Sequence, residues 1–484
     1  MALLAPRTKR LFPVMAAAIA GVSSLGVGTL VAQGLSTFRL IVLTASLVLL
    51  PVVALRPELL GGVFLGMLWA RVSDVGISEQ GLPSLAVPCA LALLGLSIGR
   101  RLLAGERIGL ATFERVFPLL PYLAVVGVSA LWATAPERSL ASAEDLAKNL
   151  LICWVLIELV SSLSALVACC LALVLTAGAL SVLSVYQYVT GTFTSDYGGF
   201  AQAEVRQIVD SENLNRLAGP IGDPNFYALI LLVTVPLGLA LLGSRLHLLV
   251  RLAVVVSMVL TAATVLLTYS RGGALVLAIG CLVALVHFRV YLPRLAPLLV
   301  AVPIAVTLVP SSVWDRMGTV LRPFEDTAEV GQVIDTAVDL RLGAQLVALE
   351  MFLDHPFGGV GSGNYPLLYQ DYSQRLGVTA VASEFHPHSL YLEVAAETGS
   401  LGLLAFMPAV IGPLVALELT RRTTATGVGE VREWHELAFG IELALGCYLM
   451  ASLLLHGSYP RYLWMLLALA VAARQVARGQ PAPS

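Results

Sequence analysis

The stretch LLTYSRGGALVL, Leu266 to Leu277, joins two apolar segments through a junction that holds one charged residue, Arg271. No other charged residue lies within ten positions of Arg271 on either side. The flanking segments, 247–268 and 272–288, each come close to the ~20 residues that a helix needs to cross ~30 Å of hydrocarbon. The stretch therefore predicts two membrane-spanning helices that meet at Arg271.

The composition extends this prediction to the whole chain. Hydrophobic residues make up 58% of the 484 positions and charged residues only 12%, whereas an ordinary soluble chain carries about 25% charged residues. Lipid offers no water to unpaired backbone groups, so spanning segments form helices. We predict an all-α polytopic membrane protein in which residues 1–484 form a single membrane domain, with no nucleic-acid partner.

Fourteen segments have the length and apolar character of a membrane span, and we expect a bundle of about 12–14 transmembrane helices. The segments are 11–32, 38–55, 58–71, 82–99, 116–133, 145–162, 165–189, 226–243, 247–268, 272–288, 294–310, 399–419, 436–456 and 461–477. The first is expected to be a retained span, because it is too long for the apolar region of a signal peptide.

Basic residues are distributed unevenly between the two ends of these segments. Alternate threading from the inside puts 17 of the 29 basic residues on one side and only 6 in short loops on the other. Because basic residues favour the cytoplasmic side, we predict that both termini are cytoplasmic. The long polar segments 190–225 and 311–398 are then extracytoplasmic. Within the second, Arg341 to Leu353 has the spacing of a helix at the membrane surface.

The first polar segment ends in ENLNRLAGPIGDPNFYALI, where Arg216 precedes a helix start at Asp223, Pro224 and Asn225. The N–H groups of a helix start point toward any nearby anion. A guanidinium pairs with two phosphate oxygens at once. Arg216 is therefore a candidate phosphate ligand, although its position also fits an arginine that reaches lipid headgroups.

Arg271 is open to two interpretations. It is either the tip of a tight hairpin among the headgroups or a side chain that reaches a polar cavity at membrane depth. An intramembrane charge is costly, so the second position would mark a functional site. The neighbouring Ser270, Gly272 and Gly273 favour close backbone packing at this junction.

His388 in the stretch HPHSLYLEVAAETGSLGLL is a candidate general base, because the unperturbed pKa of histidine lies near neutrality. Ser389 can cap the following helix, on which Glu393 and Glu397 share a face. The alternative is a loop histidine among headgroups. With His386, His388 would form half of a metal site, but no third ligand is evident.

Other titratable residues receive weaker interpretations. Asp210 and Glu212 fit either a divalent ion beside a sugar phosphate or a solvated loop, and Glu442, in an apolar segment, receives no role. The six cysteines all fall in apolar stretches, which is untypical of a disulfide framework or a zinc cluster. We predict no metal and no cofactor.

Four motifs on the predicted outer face resemble, in this order, the O-antigen ligase and polymerase superfamily of polytopic membrane glycosyltransferases. They are RLAGPIGDPN, SRGG, PFGGVGSGNYP and HPHSLYLEVAAETGSLGLL, between about Arg216 and Leu404. The resemblance implies a GT-C-like helical fold in the inner (cytoplasmic) membrane. It also implies transfer of a glycan from an undecaprenyl diphosphate carrier to a glycan, lipid A core or protein acceptor on the outer face.

The same resemblance implies roles for single residues. Arg216 and Arg271 look like the arginines that grip the diphosphate. His388 looks like the essential histidine, and Glu397 and Gly399 match the acidic residue and glycine that follow it.

Further residues of these motifs are expected to contact the substrates. They are Asn225, Ser270, Arg341, Gly361, Asn364 and His386. Arg341 resembles an arginine ahead of the P-x-G-G-x-G turn of the loop. Two departures are a serine at position 389, where asparagine is common, and a larger number of predicted spans.

The resulting hypothesis is a metal-independent inverting transfer. Arg216 and Arg271 stabilise the negative charge that grows on the diphosphate as the anomeric bond breaks. His388 takes the proton of the acceptor hydroxyl. Glu397 orients the imidazole, and the 311–398 loop covers the site and aligns the two substrates.

A solute or ion transporter, or an exporter of envelope precursors, is the main alternative. It predicts polar residues in the middle of several spans, and such residues are sparse in this sequence. A structural scaffold is a third possibility, but it leaves the arginine and histidine set unexplained.

Overall fold

The computed structural model of the protein describes residues 59–103, 116–207, 213–288, 336–378, 385–424, 429–457 and 460–479. Three predicted spans, 11–32, 38–55 and 294–310, lie outside the described residues. The acidic pair Asp210 and Glu212 lies outside them too.

Helices form most of the described chain, and the described residues from Gly61 onward belong to one compact unit. In chain order the helices are α1 (Leu60–Trp69), α2 (Val72–Gln80), α3 (Ala86–Leu103), α4 (Leu120–Val128), α5 (Pro136–Leu159), α6 (Leu163–Thr190), α7 (Pro224–Leu232), α8 (Thr234–Leu242), α9 (Leu248–Leu267), α10 (Arg271–Phe288), α11 (Thr336–Asp354), α12 (Tyr365–Leu376), α13 (Leu390–Thr423), α14 (Glu430–Ala451) and α15 (Arg461–Gly479). Two short 3-10 turns, Phe117–Leu119 and Ser129–Leu131, flank α4.

The predicted all-α polytopic membrane fold is confirmed. Within the described residues, four helical segments are long and apolar enough to cross a membrane: α6, α7 together with α8, α9, and α13. The pair α1 and α2, bent by 45°, would be a fifth. The other described helices are shorter, less apolar or more highly charged than a span of this kind.

α7 and α8 form the centre of the compact unit. Every residue from Phe226 to Leu242 is buried, and α6, α9, α10 and α14 pack around them. A helix that is apolar on all faces buries all of them. The packing of these surrounding helices therefore fixes the position of the start of α7.

A two-stranded antiparallel hairpin precedes α7. β1 (Gln202–Gln207) pairs with β2 (Asn213–Gly219), and Glu204 stands opposite Arg216. The sequence predicts a loop for 190–225, because these strands are short and polar and lack a run of β-branched residues. Oppositely charged cross-strand neighbours stabilise such a pair.

The described part of the second polar segment folds into α11 and α12. The helix predicted for Arg341 to Leu353 is confirmed, since α11 covers it. Apolar side chains of α11 pack against Tyr365, Tyr369 and Tyr372 of α12 and against Ala396 of α13. This small core fixes the loop helices onto the beginning of α13.

Candidate functional site

Arg216 is almost fully enclosed by protein, with 1% of its surface exposed. Its Nη1 donates to Glu204 Oε2 at 3.2 Å, and its Nη2 donates to Asn225 Oδ1 at 3.1 Å. Its Nε donates to the carbonyl oxygen of Thr268 at 2.9 Å. The guanidinium therefore ties the hairpin, the start of α7 and the end of α9 together.

The start of α7 is capped by its own sequence. Oδ1 of Asp223 accepts hydrogen bonds from the N–H groups of Asn225 at 2.7 Å and Phe226 at 3.0 Å, and Pro224 takes the first helical position. The sequence suggested these N–H groups as donors to an anion. The carboxylate of Asp223 already occupies two of them, so the polar group that α7 offers is the side chain of Asn225.

The junction between α9 and α10 is tight. Tyr269 is buried in a left-handed backbone conformation with φ 54°. Ser270 is also buried, and its Oγ accepts a hydrogen bond from the Gly273 N–H at 3.3 Å. Arg271 begins α10 and is partly exposed. The close packing expected at this turn is present.

Three of the predicted substrate-binding residues line one narrow cleft. Asn225 of α7, Ser270 before α10 and Arg341 of α11 supply its polar groups, and leucines of α7 and of the segment after α14 supply its apolar groups. Its volume is about 20 Å³, which is room for roughly one water molecule. We call it the Arg341 cleft. Arg271 lies in the chain between Ser270 and Gly272, which both line the cleft.

His388 has a left-handed backbone conformation, φ 48°. This conformation is uncommon for a residue other than glycine and concentrates at functional sites. The ring of Phe385 lies edge-on to the imidazole, with centroids 5.2 Å apart. Ser389 is buried at the start of α13, but its hydroxyl makes no capping hydrogen bond, unlike the expected cap.

A second histidine, His456, packs against His388. Their ring centroids lie 5.4 Å apart, and His456 also stacks on His386 at 4.3 Å. On another side His456 meets Phe226 of α7 edge-on at 5.1 Å. His456 therefore connects the predicted catalytic segment to the start of α7, beside Asn225.

An acidic residue completes this cluster. Oε1 of Glu393 lies 3.6 Å from Nδ1 of His386, and its Oε2 accepts a hydrogen bond from the Gly457 N–H. The Nδ1 atoms of His386 and His456 are buried without a hydrogen-bond partner. These two nitrogen atoms could therefore still form hydrogen bonds that the described residues do not supply.

Sequence reasoning missed His456. Its only signal is a histidine in LLLHGSYPR, at the edge of an apolar segment. α14 ends at Ala451, so His456 lies in the connection to α15. Burial, together with the neighbouring His386 and His388, lowers the pKa of His456 to about 2. This imidazole is therefore neutral near pH 7.

Glu397 binds the glycine-rich turn. Its Oε2 accepts hydrogen bonds from the Gly363 N–H at 2.8 Å and the Ser362 hydroxyl at 3.5 Å, and its Oε1 accepts from the Tyr365 N–H at 3.3 Å. Among the described residues these are its hydrogen bonds, and the predicted contact with the imidazole of His388 is not one of them. The acidic side chain beside the histidines is Glu393.

Asn364 and Gly361 have structural contacts. The side chain of Asn364 is fully buried: its Oδ1 accepts from the Ala135 N–H at 2.7 Å, and its Nδ2 donates to Ser139 Oγ at 3.1 Å. A β-carbon on Gly361 would stand 2.4 Å from that of Ala133. A substrate would reach Asn364 only by breaking these contacts.

The residues fall into two connected groups. In the first group, Arg216 contacts Asn225, which lines the Arg341 cleft. In the second group, His386 and His388 both contact His456. No group of three or more side chains with the geometry of a metal site occurs within the described residues.

Residues 256–407 match the family model described as O-antigen ligase. The matched segment runs from α9 to the middle of α13 and includes Arg271, Arg341 and His388, whereas Arg216 precedes it. The resemblance to the O-antigen ligase and polymerase superfamily is thereby confirmed over this segment. No curated protein matches the chain.

Proposed function

We propose that this protein is a membrane glycosyltransferase of the O-antigen ligase or polymerase type. It moves a glycan from an undecaprenyl diphosphate carrier to an acceptor hydroxyl on the outer face of the cytoplasmic membrane. The family match supports a glycosyl-transferring enzyme. The observation that carries the proposal is the contact of His456 with both His388 and Phe226, because it joins a strained histidine to the arginine-bound start of α7.

The donor diphosphate binds at the Arg341 cleft. Arg341 supplies positive charge to its wall, and Asn225 and Ser270 supply polar side chains. Arg271, between the lining residues Ser270 and Gly272 in the chain, is the second positive charge that we assign to the diphosphate. Guanidinium groups suit this role, because they pair with two phosphate oxygens and stay charged. Arg216 acts as a positioning residue that holds Asn225 and the α9 to α10 junction.

Substrate entry requires the Arg341 cleft to widen. A volume of about 20 Å³ cannot hold a diphosphate. The wall of the cleft formed by α11 belongs to the predicted outer loop, whereas the other wall belongs to the packed helices α7 and α10. We therefore expect α11 to move away when the donor enters and to return over it.

The reaction is an inverting displacement. The acceptor oxygen forms a bond to the anomeric carbon, the bond from that carbon to the diphosphate oxygen breaks, and the electron pair leaves with the diphosphate. Fixed positive charge on Arg271 and Arg341 stabilises this developing charge. His388 accepts the proton of the acceptor hydroxyl. The acceptor hydroxyl can belong to lipid A core, to a second lipid-linked glycan or to a protein, because each can attack the anomeric carbon in the same way.

Neighbouring side chains fix the direction of the His388 imidazole. Phe385 and His456 contact the ring from two sides, and His386 with Glu393 supports His456. A base held in one orientation is ready for the acceptor. Glu397 contributes by fixing the turn that leads into α12.

Transfer assays with purified protein, lipid-linked glycan and EDTA test the proposal. We expect His388→Ala to lower kcat by roughly 10²- to 10⁴-fold, the range of a general base, with the KM of the donor little changed. His355→Ala is the matched control, since His355 is an exposed histidine at the end of α11. Full turnover by His388→Ala would remove the base from the mechanism.

A transporter gives a different result in the same preparation. Reconstituted vesicles would then move lipid-linked glycan or solute across the bilayer without forming a new glycosidic bond. Detection of transferred product by mass spectrometry separates the two functions.

A further inference from the structure

A second cleft, larger than the first, lies between the beginnings of α2, α3 and α15 and the middle of α5. Its volume is about 570 Å³, within the range of roughly 300–1,000 Å³ that is usual for ligand sites. Charged residues of both signs line it: Arg71, Asp74, Asp145, Lys148 and Arg461. We call it the Arg461 cleft.

Two arginines at one end of this cleft share a single carboxylate. Nε of Arg71 donates to Oδ2 of Asp74 at 3.0 Å, and Nη1 of Arg461 donates to the same oxygen at 2.9 Å. These three side chains by themselves carry two positive charges and one negative charge. The three side chains remain 22% to 27% exposed, so a solute can reach them.

Arg461 has donor capacity left over. Its hydrogen bond to Asp74 uses Nη1, and within the described residues Nε and Nη2 have no further partner. This edge of a guanidinium presents two parallel N–H groups, which match the two oxygens of a carboxylate or phosphate. An anionic group is therefore the ligand that fits this end.

The backbone of Arg71 is strained. It adopts φ 56° and ψ 30° at the break between α1 and α2, where the helix axis bends by 45°. Such conformations persist where the surroundings impose them, often at ligand sites. Nη1 of Arg71 also donates to the carbonyl oxygen of Pro220 at 3.3 Å, which ties the cleft to the segment before α7.

The other end of the cleft is mixed in charge. Nζ of Lys148 lies 2.9 Å from Glu144 and 3.1 Å from Asp145. Carboxylates and an ammonium group provide acceptors and donors for hydroxyl groups. Together the two ends fit a sugar that carries one acidic group.

Two short segments connect this cleft to the candidate site. Asn225 lies five positions after Pro220, and Arg461 lies five positions after His456. A fully extended chain spans at most about 3.6 Å per residue, so neither pair is more than about 18 Å apart. The two sites are therefore close enough for one oligosaccharide to contact both His456 and the Arg461 cleft.

We propose that the Arg461 cleft binds an acidic group, a carboxylate or a phosphate, on a glycan substrate of this enzyme. The proposal rests on the proposed glycosyl transfer and names a substrate class for it. The acidic sugar belongs either to the acceptor or to the distal part of the donor glycan. Both sources share this recognition chemistry, and kinetics separates them.

Calorimetric titration of the full chain in detergent with glucuronate, and with glucose as the neutral probe, tests binding without any transfer reaction. We expect tighter binding of glucuronate than of glucose. Arg461→Gln should weaken glucuronate binding roughly tenfold, which is about 1.4 kcal/mol. Arg375→Gln is the matched control, because Arg375 binds Asp354 at 2.7 Å outside the cleft.

A second variant tests glucuronate binding independently, in case Arg461→Gln does not fold. Ser84 is an exposed residue of the cleft wall. Ser84→Asp adds a negative charge without breaking an ion pair and should also weaken glucuronate binding, whereas Ser84→Asn should not. Equal binding of glucuronate and glucose, or unchanged binding in Arg461→Gln and Ser84→Asp, would overturn the proposal.

Steady-state transfer assays identify the source of the acidic group. In Arg461→Gln, a higher KM for the acceptor assigns the cleft to the acceptor, and a higher KM for the donor assigns it to the donor glycan. An unchanged KM for both substrates contradicts the proposal. Because the binding titration does not depend on turnover, failure of the glycosyl transfer itself would be seen separately.

Discussion

His388 is held in a backbone conformation that costs roughly 1–3 kcal/mol for a residue with a β-carbon. The surrounding structure offsets this cost: Phe385 packs against its ring, and the Leu390 N–H donates to the Ser452 carbonyl at 3.0 Å, which anchors the start of α13. A glycine at position 388 would avoid the strain. The surrounding fold therefore holds the His388 imidazole in one orientation. A general base needs such a fixed orientation to accept the proton of the acceptor hydroxyl.

His456 makes a pH-dependent contribution to stability. Its pKa of about 2 in the folded protein lies below the ordinary value near 6.5, so the unfolded chain binds this proton more readily. The contribution of neutral His456 to the free energy of unfolding is complete above about pH 6.5. It is lost progressively as the pH falls toward 2. At pH 5 we expect a loss of at most about 2 kcal/mol, from 1.36 kcal/mol per pH unit.

His456→Phe tests this contribution, because phenylalanine keeps a flat ring against Phe226 and His386 but does not titrate. We expect its melting temperature in detergent to fall less between pH 7 and pH 5 than that of the unmodified protein. His355→Phe, at an exposed position, should leave the slope unchanged. Parallel curves for His456→Phe and the unmodified protein would contradict the assignment.

The glycine-rich turn and the beginning of α13 form one paired element. The N–H groups of Val360 and Gly361 donate to the carbonyls of Ala396 and Glu397, each at 2.9 Å, and the Ser400 N–H donates to the Pro356 carbonyl at 2.8 Å. α13 can offer these groups because Gly399 interrupts its helix with φ 64° and ψ −161°.

Gly399→Ala should separate the turn from α13. A β-carbon there would stand 2.3 Å from the carbonyl oxygen of Phe357, in a conformation that favours glycine. We expect a loss of at least about 2 kcal/mol from strain and lost hydrogen bonds. We also expect faster hydrogen exchange in 357–365 and reduced transfer activity.

Gly412→Ala provides the matched control in the same helix. No atom lies within 4 Å of the β-carbon position of Gly412, and alanine favours helix more than glycine does. This variant should keep its stability and its exchange pattern. Equal behaviour of the two variants would show that the turn does not depend on Gly399.

The molecule as a whole has a predicted orientation that fusions can test. With both termini cytoplasmic, green fluorescent protein joined after Ser484 should fluoresce, and alkaline phosphatase joined after Asn364 should be active. Alkaline phosphatase joined after Thr424 should be inactive, because the end of α13 is predicted to be cytoplasmic. The reverse pattern of activities would place the candidate site on the cytoplasmic side.

The class of the protein could be predicted from its sequence: a helical membrane chain with two arginines and a histidine at segment ends. The length and hydropathy of each segment and the residues of each motif can be read from consecutive positions of the chain. The folded chain was needed to show that His456 packs against His388, that Glu397 binds the turn, and that Asn364 is enclosed against Ala135. These contacts join segments 34 to 229 residues apart, and their pairing depends on how the helices pack, which no local pattern encodes.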